Sequence, residues 1–131
     1  MNPSTLTIRK VTPILIVDEI EPALALWTGV LGYEKQVEVP HDGRAGFVLL
    51  SRDGQEVMMQ TRVSLRADMP RVAKLDIGCL LYMDVDSLSA AMAATRGLDV
   101  VVHERETAYG AREIFVRDPV GNVIGFAEHK K

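Results

Sequence analysis

The side chains that could carry out acid–base or metal chemistry are few in this sequence. It holds three histidines, His41, His103 and His129, and a single cysteine, Cys79. Imidazole and thiolate groups bind metals and exchange protons near neutral pH, and the carboxylate of Glu128 stands beside His129. The sequence lacks HExxH, GxSxG, GxGxxG and a phosphate-binding loop. It therefore offers candidate groups without a recognised catalytic spacing.

These candidates also have simpler structural interpretations. His41 lies in a polar turn, where we expect it to be exposed. His103 lies on a predicted strand, and we expect it to be a surface or partly buried side chain. We expect His129 to belong to a frayed terminus. Cys79 stands beside Leu80 on a predicted strand and is interpreted as a buried structural thiol.

Length and composition restrict the class of protein. The chain has 131 residues, 47% of them hydrophobic and 25% charged, and a net charge of −3. This is the composition of one globular domain, and a mildly acidic chain is a poor candidate for nucleic-acid binding. The apolar runs are far shorter than the ~20 residues of a membrane helix. One cysteine excludes an internal disulfide and fits a reducing compartment, so we expect a cytoplasmic protein.

Hydrophobic periodicity predicts two strand–helix–strand modules joined by a linker. The first module, residues 10–60, has strands at 10–17, 33–39, 45–50 and 55–60, with a helix capped by Asp18 and ended by Gly32. Residues 61–75 have no clear period and read as a linker. The second module, residues 76–129, has strands at 77–85, 100–105, 112–117 and 122–128, with a helix capped by Asp86.

The two modules repeat each other weakly but in register. The segment VDEI at 17–20 corresponds to VDSL at 85–88, an offset of 68 residues, and Gly54 corresponds to Gly121 at an offset of 67. Shared landmarks at nearly the same offset favour an internal duplication. We therefore predict one α+β domain over residues 1–131, in which two βαβββ modules form a curved, mixed eight-stranded sheet around a cavity with helices outside.

Two segments resemble the vicinal oxygen chelate superfamily, which includes glyoxalase I, bleomycin-resistance proteins and extradiol dioxygenases. The first runs VDEIEPALALW from Val17 to Trp27 and is followed by VLGY at 30–33. The second, YGAREIFVRDPVGN from Tyr109 to Asn122, is similar to the family's WG-x-RE-F-x-V-x-DP-x-GN pattern, with Tyr109 in place of tryptophan. The resemblance covers nearly the whole chain and implies the family's paired-module fold.

The resemblance also implies where a metal would be held. Enzymes of the family bind a divalent cation with His on the first strand of each module and Glu or His on its last. Carried over, those places correspond to Thr12, Met58, Leu80 and Gly125. None carries the imidazole or carboxylate that such cations prefer. We therefore expect no metal and no cofactor, as in the bleomycin-resistance-like branch, whose members bind ligands without chemistry.

Strand alternation predicts which residues line the cavity. The predicted ligand-binding residues are Thr12, Ile14, Met58, Gln60, Leu80, Tyr82 and Gly125. Gly125 is expected to leave room, and Tyr82 to stack and to form a hydrogen bond. A mostly apolar lining with few polar groups suits an apolar or aromatic small molecule.

Three functional hypotheses follow. The first is a metal-free protein that sequesters or senses a small molecule, in the manner of bleomycin-resistance proteins. The alternative is a metal-dependent lyase, isomerase or dioxygenase with rearranged ligands drawn from His41, His103, His129 and Glu128. The third is an interaction module whose cavity is filled. Because proteins of this kind commonly pair, we also expect a symmetric homodimer.

Overall fold

The computed structural model describes residues 6–117 and 123–130. These residues form strands β1 (Ile8–Val17), β2 (Glu34–His41), β3 (Arg44–Arg52), β4 (Gln55–Thr61), β5 (Cys79–Val85), β6 (Asp99–Glu106), β7 (Ala111–Arg117) and β8 (Val123–His129). The helices are α1 (Glu21–Leu24), continued by a π-helical segment (Ala25–Val30), α2 (Arg62–Asp68), α3 (Pro70–Ala73) and α4 (Leu88–Ala94). Each strand lies where the sequence predicts it. The predicted turn at 118–121 lies outside the described residues.

The predicted fold class is confirmed, because the strands form one mixed eight-stranded sheet of an α+β protein in the order β2-β3-β4-β1-β5-β8-β7-β6. β1 runs parallel to β4, and β5 runs parallel to β8. The chain divides into two compact units. We call Thr12–Cys79 the N-terminal unit; the described residues 6–11 and those from Leu80 onward are the C-terminal unit.

The N-terminal unit buries an apolar core on one face of its strands. Ile20, Val48, Leu50 and Met59 are the large members of this core. The Trp27 ring packs against the same cluster. The core holds the first helical segment against the sheet and leaves the alternate residues of β1, β3 and β4 on the opposite face.

The first helix begins later than the sequence predicts, and it changes type. The predicted cap, Asp18, lies outside the helix and pairs with Arg62 (Oδ1 to Nε, 3.3 Å). Pro22 occupies the first turn, where its missing N–H costs little. After one turn the helix widens to π spacing, with the N–H of Leu31 donating to the carbonyl of Leu26 at 2.8 Å. The expectation of one regular, Asp-capped helix is therefore wrong.

Residues 61–75, which the sequence predicts to be a linker without a clear period, contain α2 and α3. The hydroxyl of Thr61 accepts a hydrogen bond from the N–H of Ser64 (3.1 Å) and caps α2. Pro70 begins α3, a position at which proline is preferred. Within the described part of the chain, no helix is long and apolar enough to cross a membrane.

The C-terminal unit is built in the same way, but a different residue caps its helix. The hydroxyl of Ser87, not the carboxylate of Asp86, accepts a hydrogen bond from the N–H of Ala90 (3.1 Å). Asp86 instead accepts a hydrogen bond from the N–H of Thr7 (3.0 Å), and this bond lowers the pKa of the Asp86 carboxyl. The predicted Asp86 cap is wrong by one residue. Leu88 is buried in the core between α4 and the sheet.

Cys79 departs from its expected position. It is exposed at the start of β5, whereas its neighbour Leu80 is buried. The strand alternation is therefore as predicted, but the side of β5 that faces away from Leu80 is open to solvent at this end. The interpretation of Cys79 as a buried thiol is wrong.

Candidate functional site

One face of the C-terminal unit carries a polar and aromatic cluster. Ile114 and Phe126 pack in the core with α4, so their strand neighbours point to the opposite face. The residues on that face are paired across β5, β8 and β7 and comprise Tyr82, Gly125, Phe115, Asp84, Ala127 and Glu113. We call this surface the Glu113 face.

Glu113 is the centre of the Glu113 face. Its side chain is fully buried and accepts four hydrogen bonds. Oε1 accepts from Nε (3.0 Å) and Nη2 (2.9 Å) of Arg105. Oε2 accepts from the hydroxyls of Tyr82 (2.6 Å) and Tyr109 (2.8 Å). Burying a carboxylate costs several kcal/mol unless it is paired and hydrogen-bonded, and these four donors satisfy that requirement.

The two tyrosines remain protonated donors. Burial of Tyr82, together with the charge of the neighbouring Glu113 carboxylate, raises the pKa of the Tyr82 hydroxyl far above its ordinary value. Desolvation of its hydroxyl and the same carboxylate also raise the pKa of Tyr109. The ring of Tyr109 is nevertheless largely exposed. Glu113 thus fixes the direction of both hydroxyls and of the Arg105 guanidinium.

A second charged group adjoins this centre. Oδ1 of Asp84 lies 3.3 Å from Nε2 of His129, and Oδ2 lies 3.7 Å from Nζ of Lys10. The His129 ring contacts the rings of Tyr82 and Tyr109, with centroids 6.3 and 6.4 Å apart. His129 is the last residue of β8 and is paired in register with β7, so the expectation of a frayed terminus is wrong.

The opposite face of the same strands has its own charges. Nε of Arg112 donates to Glu104 at 3.0 Å. Glu128 accepts a hydrogen bond from the N–H of Leu88, the first residue of α4, at 2.8 Å. Strand alternation gives Glu128 the opposite parity to Gly125, and Glu128 accordingly does not turn onto the Glu113 face.

The structure separates the seven residues predicted to bind a ligand into different environments. Those that are buried are Thr12, Ile14, Gln60, Leu80, Tyr82 and Gly125, whereas Met58 is partly buried. In the N-terminal unit, Ile14 pairs with Met58. Gln60 turns towards α2, where its Nε2 donates to the Ser64 hydroxyl (3.2 Å). Of the seven, Tyr82 and Gly125 lie on the Glu113 face.

The room expected at Gly125 is occupied. A Cβ at this position would lie 2.5 Å from Cε2 of Phe115 and 2.8 Å from its Cδ2. The Phe115 ring therefore packs on the glycine backbone. The glycine accommodates a neighbouring side chain of its own sheet, and the expectation of empty space above it is wrong.

The family's metal does not fit the residues at its four places. Leu80 and Gly125 provide no donor atom, Met58 provides a soft thioether, and Thr12 provides one hydroxyl. Across residues 6–117 and 123–130, no group of three or more His, Cys, Asp or Glu side chains is arranged to hold a metal ion. His103 is exposed on β6, and Glu128 is engaged by α4.

His41 lies at a separate cavity of about 370 Å³ in the N-terminal unit. The cavity is lined by Asp18, Glu19, Glu21, His41, Asp42, Arg44, Ala45, Thr61 and Val63. Glu21 accepts a hydrogen bond from the N–H of Ala45 (2.9 Å), which lowers the pKa of the Glu21 carboxyl. Glu19 pairs with Arg44 at 2.8 Å. The carboxylates of Glu19 and Glu21, both in the lining of this cavity, are therefore already engaged by donors of the protein.

Sequence reasoning missed Glu113 and Arg105 as members of a site. Glu113 lies in the segment AREIFVR, and it begins a run of four buried residues that ends at Val116. A charged residue at a buried strand position requires a partner, and that was the available signal. The identity of the partner, eight residues earlier on β6, depends on a register shift between Val102 and Arg105 that simple alternation does not reveal.

Comparison with known proteins identifies the fold. No protein-family model matches the chain, and no curated protein matches its sequence. Among solved structures, it is similar to a glyoxalase/bleomycin resistance protein/dioxygenase superfamily member from Vibrio splendidus. The two chains are 22% identical, the match covers 93% of this chain and 99% of that one, and the TM-score is 0.70.

Two further structures support the same assignment. A hypothetical protein from Bacillus halodurans matches with 16% identity, a TM-score of 0.71, and coverage of 97% of this chain and 96% of that one. A methylmalonyl-CoA epimerase from Mycobacterium tuberculosis matches with 20% identity, a TM-score of 0.67, and coverage of 92% and 87%. Likeness at these identities concerns the fold, and the predicted vicinal oxygen chelate fold is confirmed.

Proposed function

We propose that this chain, with its vicinal oxygen chelate fold, binds an apolar or aromatic small molecule on the Glu113 face without a metal. The observation that carries the proposal is the buried Glu113 carboxylate with its four donors. This arrangement holds Tyr82, Tyr109 and Arg105 in fixed directions before any ligand arrives. Such preorganisation reduces the ordering cost of binding.

The Glu113 carboxylate is better placed to orient neighbours than to take a proton from a substrate. Each of its oxygens already accepts two hydrogen bonds from the protein. A substrate group would have to displace an arginine or a tyrosine hydroxyl to reach it. A general base needs an accessible acceptor within hydrogen-bond distance of the proton it removes, and this geometry does not provide one.

Aromatic surface is the second support. Tyr82 lies 6.1 Å from Phe115 between ring centroids, and Tyr109 and His129 extend the group. Aromatic rings provide large apolar contact area at a low conformational cost. A ligand that stacks on Tyr109 and receives one or two polar contacts fits the usual character of small-molecule sites.

The proposal also includes a biological role, a location and an oligomeric state. We propose a bleomycin-resistance-like role of sequestering or sensing, in the cytoplasm, by a homodimer. Light scattering should give a mass near twice 14.4 kDa. A concentration-independent mass of one chain would exclude the dimer without touching the proposed site.

The test is a ligand screen on the purified protein. A thermal-shift screen of apolar and aromatic compounds, followed by calorimetry, should yield a hit that binds equally well with and without a chelator. Tyr109→Leu should weaken that hit because it removes an exposed ring. Arg66→Ala is the control, since Arg66 is exposed on α2 in the other unit.

Two results would contradict the proposal. One is tight binding of one metal ion per chain on which ligand binding depends. The other is a hit that Tyr109→Leu binds as tightly as the wild-type protein, because the ligand would then lie elsewhere. Turnover of the hit with a bound metal would favour the alternative metal-dependent enzyme.

A further inference from the structure

The acidic and basic side chains of the Glu113 face differ in their exposure to solvent. Its acids are Glu113, which is fully buried, and Asp84, whose side chain is 26% exposed. Lys10 and His129 are more accessible, with side-chain exposures of 42% and 43%, whereas Arg105 at 28% is about as exposed as Asp84. A ligand that approaches from solvent therefore meets positively charged or hydrogen-bond-donating groups first.

The acids of this face are also occupied. Glu113 receives four hydrogen bonds, and each oxygen of Asp84 has a basic group within 4 Å. A cationic ligand would have to compete with Arg105, Lys10 or His129 for these oxygens. An anionic ligand would instead meet the basic members of these pairs.

Glu104, Glu106 and Glu128 lie on the opposite side of the strands. Glu104 and Glu128 are engaged by Arg112 and by the start of α4. Glu106 pairs in register with Arg112 and so shares its face. Repulsion of an anion by these carboxylates is reduced by their distance across the sheet and by the donors that already engage Glu104 and Glu128.

The exposed ring of Tyr109 favours a ligand that has a planar part. Tyr109 is 62% exposed, and its ring lies at 33° to the His129 ring with centroids 6.4 Å apart. The two rings present a partly flat apolar surface beside Arg105 and Lys10. A planar ligand body can stack there while an anionic group contacts the basic side chains.

We infer that the ligand of the Glu113 face is an aromatic carboxylate or a comparable planar anion. This inference rests on the proposed function and narrows it. Arginine recognises carboxylates through its planar fork, and Lys10 supplies a point charge at the same surface. The aromatic body provides the apolar contact that the site requires.

The experiment compares three probes of the same shape on the wild-type protein: 2-naphthoate, 2-naphthamide and 2-naphthylmethylammonium. Calorimetry should show that naphthoate binds about tenfold more tightly than the amide and the ammonium. The preference should shrink at high salt, because the groups are partly exposed.

Matched variants locate the effect. Lys10→Gln should weaken naphthoate binding about fivefold and leave the amide nearly unchanged. Lys35→Gln is the control, because Lys35 has the same 42% side-chain exposure and also belongs to an ion pair, but lies on β2 of the N-terminal unit. We replace Lys10 rather than Arg105, because Arg105 pairs with buried Glu113 and its loss would endanger folding.

The outcomes separate the inference from the proposed function. If the ammonium or the amide binds as tightly as naphthoate, or if Lys10→Gln and Lys35→Gln have equal effects, the inference is overturned and metal-free binding still stands. If none of the probes nor any screened compound binds the wild-type protein, both fail.

Discussion

The two units place different side chains at matching positions of the same strand register. One matched row consists of Phe47, Gln60 and Ile16 in the N-terminal unit and of Glu113, Ala127 and Asp84 in the C-terminal unit. The next row consists of Leu49, Met58 and Ile14 against Phe115, Gly125 and Tyr82. The pairing directions are identical in both units, so the backbone alone does not decide which face becomes polar.

Side-chain volume on the middle strand explains much of the difference. β4 presents Met58 and Gln60, whereas β8 presents Gly125 and Ala127 at the matching places. The small residues of β8 leave the volume that neighbouring side chains on β7 and β5 occupy, as the contact of Phe115 with Gly125 shows. A duplicated fold can therefore gain a polar centre by reducing one strand to small residues, provided that the new charge receives partners.

The largest expected effect comes from removing the charge at the centre. Glu113→Gln keeps the shape but brings an NH₂ group against donors of Arg105, Tyr82 or Tyr109. We expect a loss of about 2–4 kcal/mol in the free energy of unfolding, measured by urea titration. Glu104→Gln is the matched control, because it also removes a carboxylate bonded to an arginine but at the surface, and should cost less than about 1 kcal/mol. Equal losses of stability in the two variants would mean that the buried Glu113 carboxylate contributes no more to stability than an exposed one.

The next effect tests the volume argument directly. Gly125→Ala places a methyl group against the Phe115 ring and should cost about 1–3 kcal/mol through overpacking. Gly78→Ala is the control, since a Cβ there meets nothing within 4 Å. If thermal unfolding shows Gly125→Ala to be as stable as the control, the small residue on β8 is not what makes room for its neighbours.

The positions of the strands along the chain and the faces of β1 and β8 could be predicted from sequence, because hydrophobic alternation encodes them locally. Thr12 and Ile14 are buried as alternation requires, and Glu128 has the predicted parity. The polar centre could not be predicted in the same way. It depends on which β6 residue reaches Glu113, and the register shift before Arg105 is set by tertiary packing.

A third prediction concerns alkaline pH and follows from the tyrosine at the centre. The pKa of Tyr82 is raised in the folded protein relative to about 10 in the unfolded chain. Its contribution to stability is therefore present below pH 10 and is lost as the pH rises above 10. Between about pH 9 and pH 11, the wild-type protein should lose roughly 1 kcal/mol more than Tyr82→Phe. Equal pH slopes for the two proteins in urea titrations would contradict the buried Tyr82–Glu113 bond.

The smallest expected effect concerns the first residues of the two helices, where the sequence repeat predicts the same capping role for Asp18 and Asp86. The structure gives the cap of α4 to Ser87, whose hydroxyl accepts the N–H of Ala90. Asp18 caps no helix and pairs with Arg62 at the surface. Ser87→Ala should therefore lower the free energy of unfolding by about 1 kcal/mol, whereas Asp18→Ala should change it by no more than about 0.5 kcal/mol. Thermal melts of the two variants provide the comparison. A larger loss for Asp18→Ala than for Ser87→Ala would mean that Asp18 caps the first helix, as the sequence predicts.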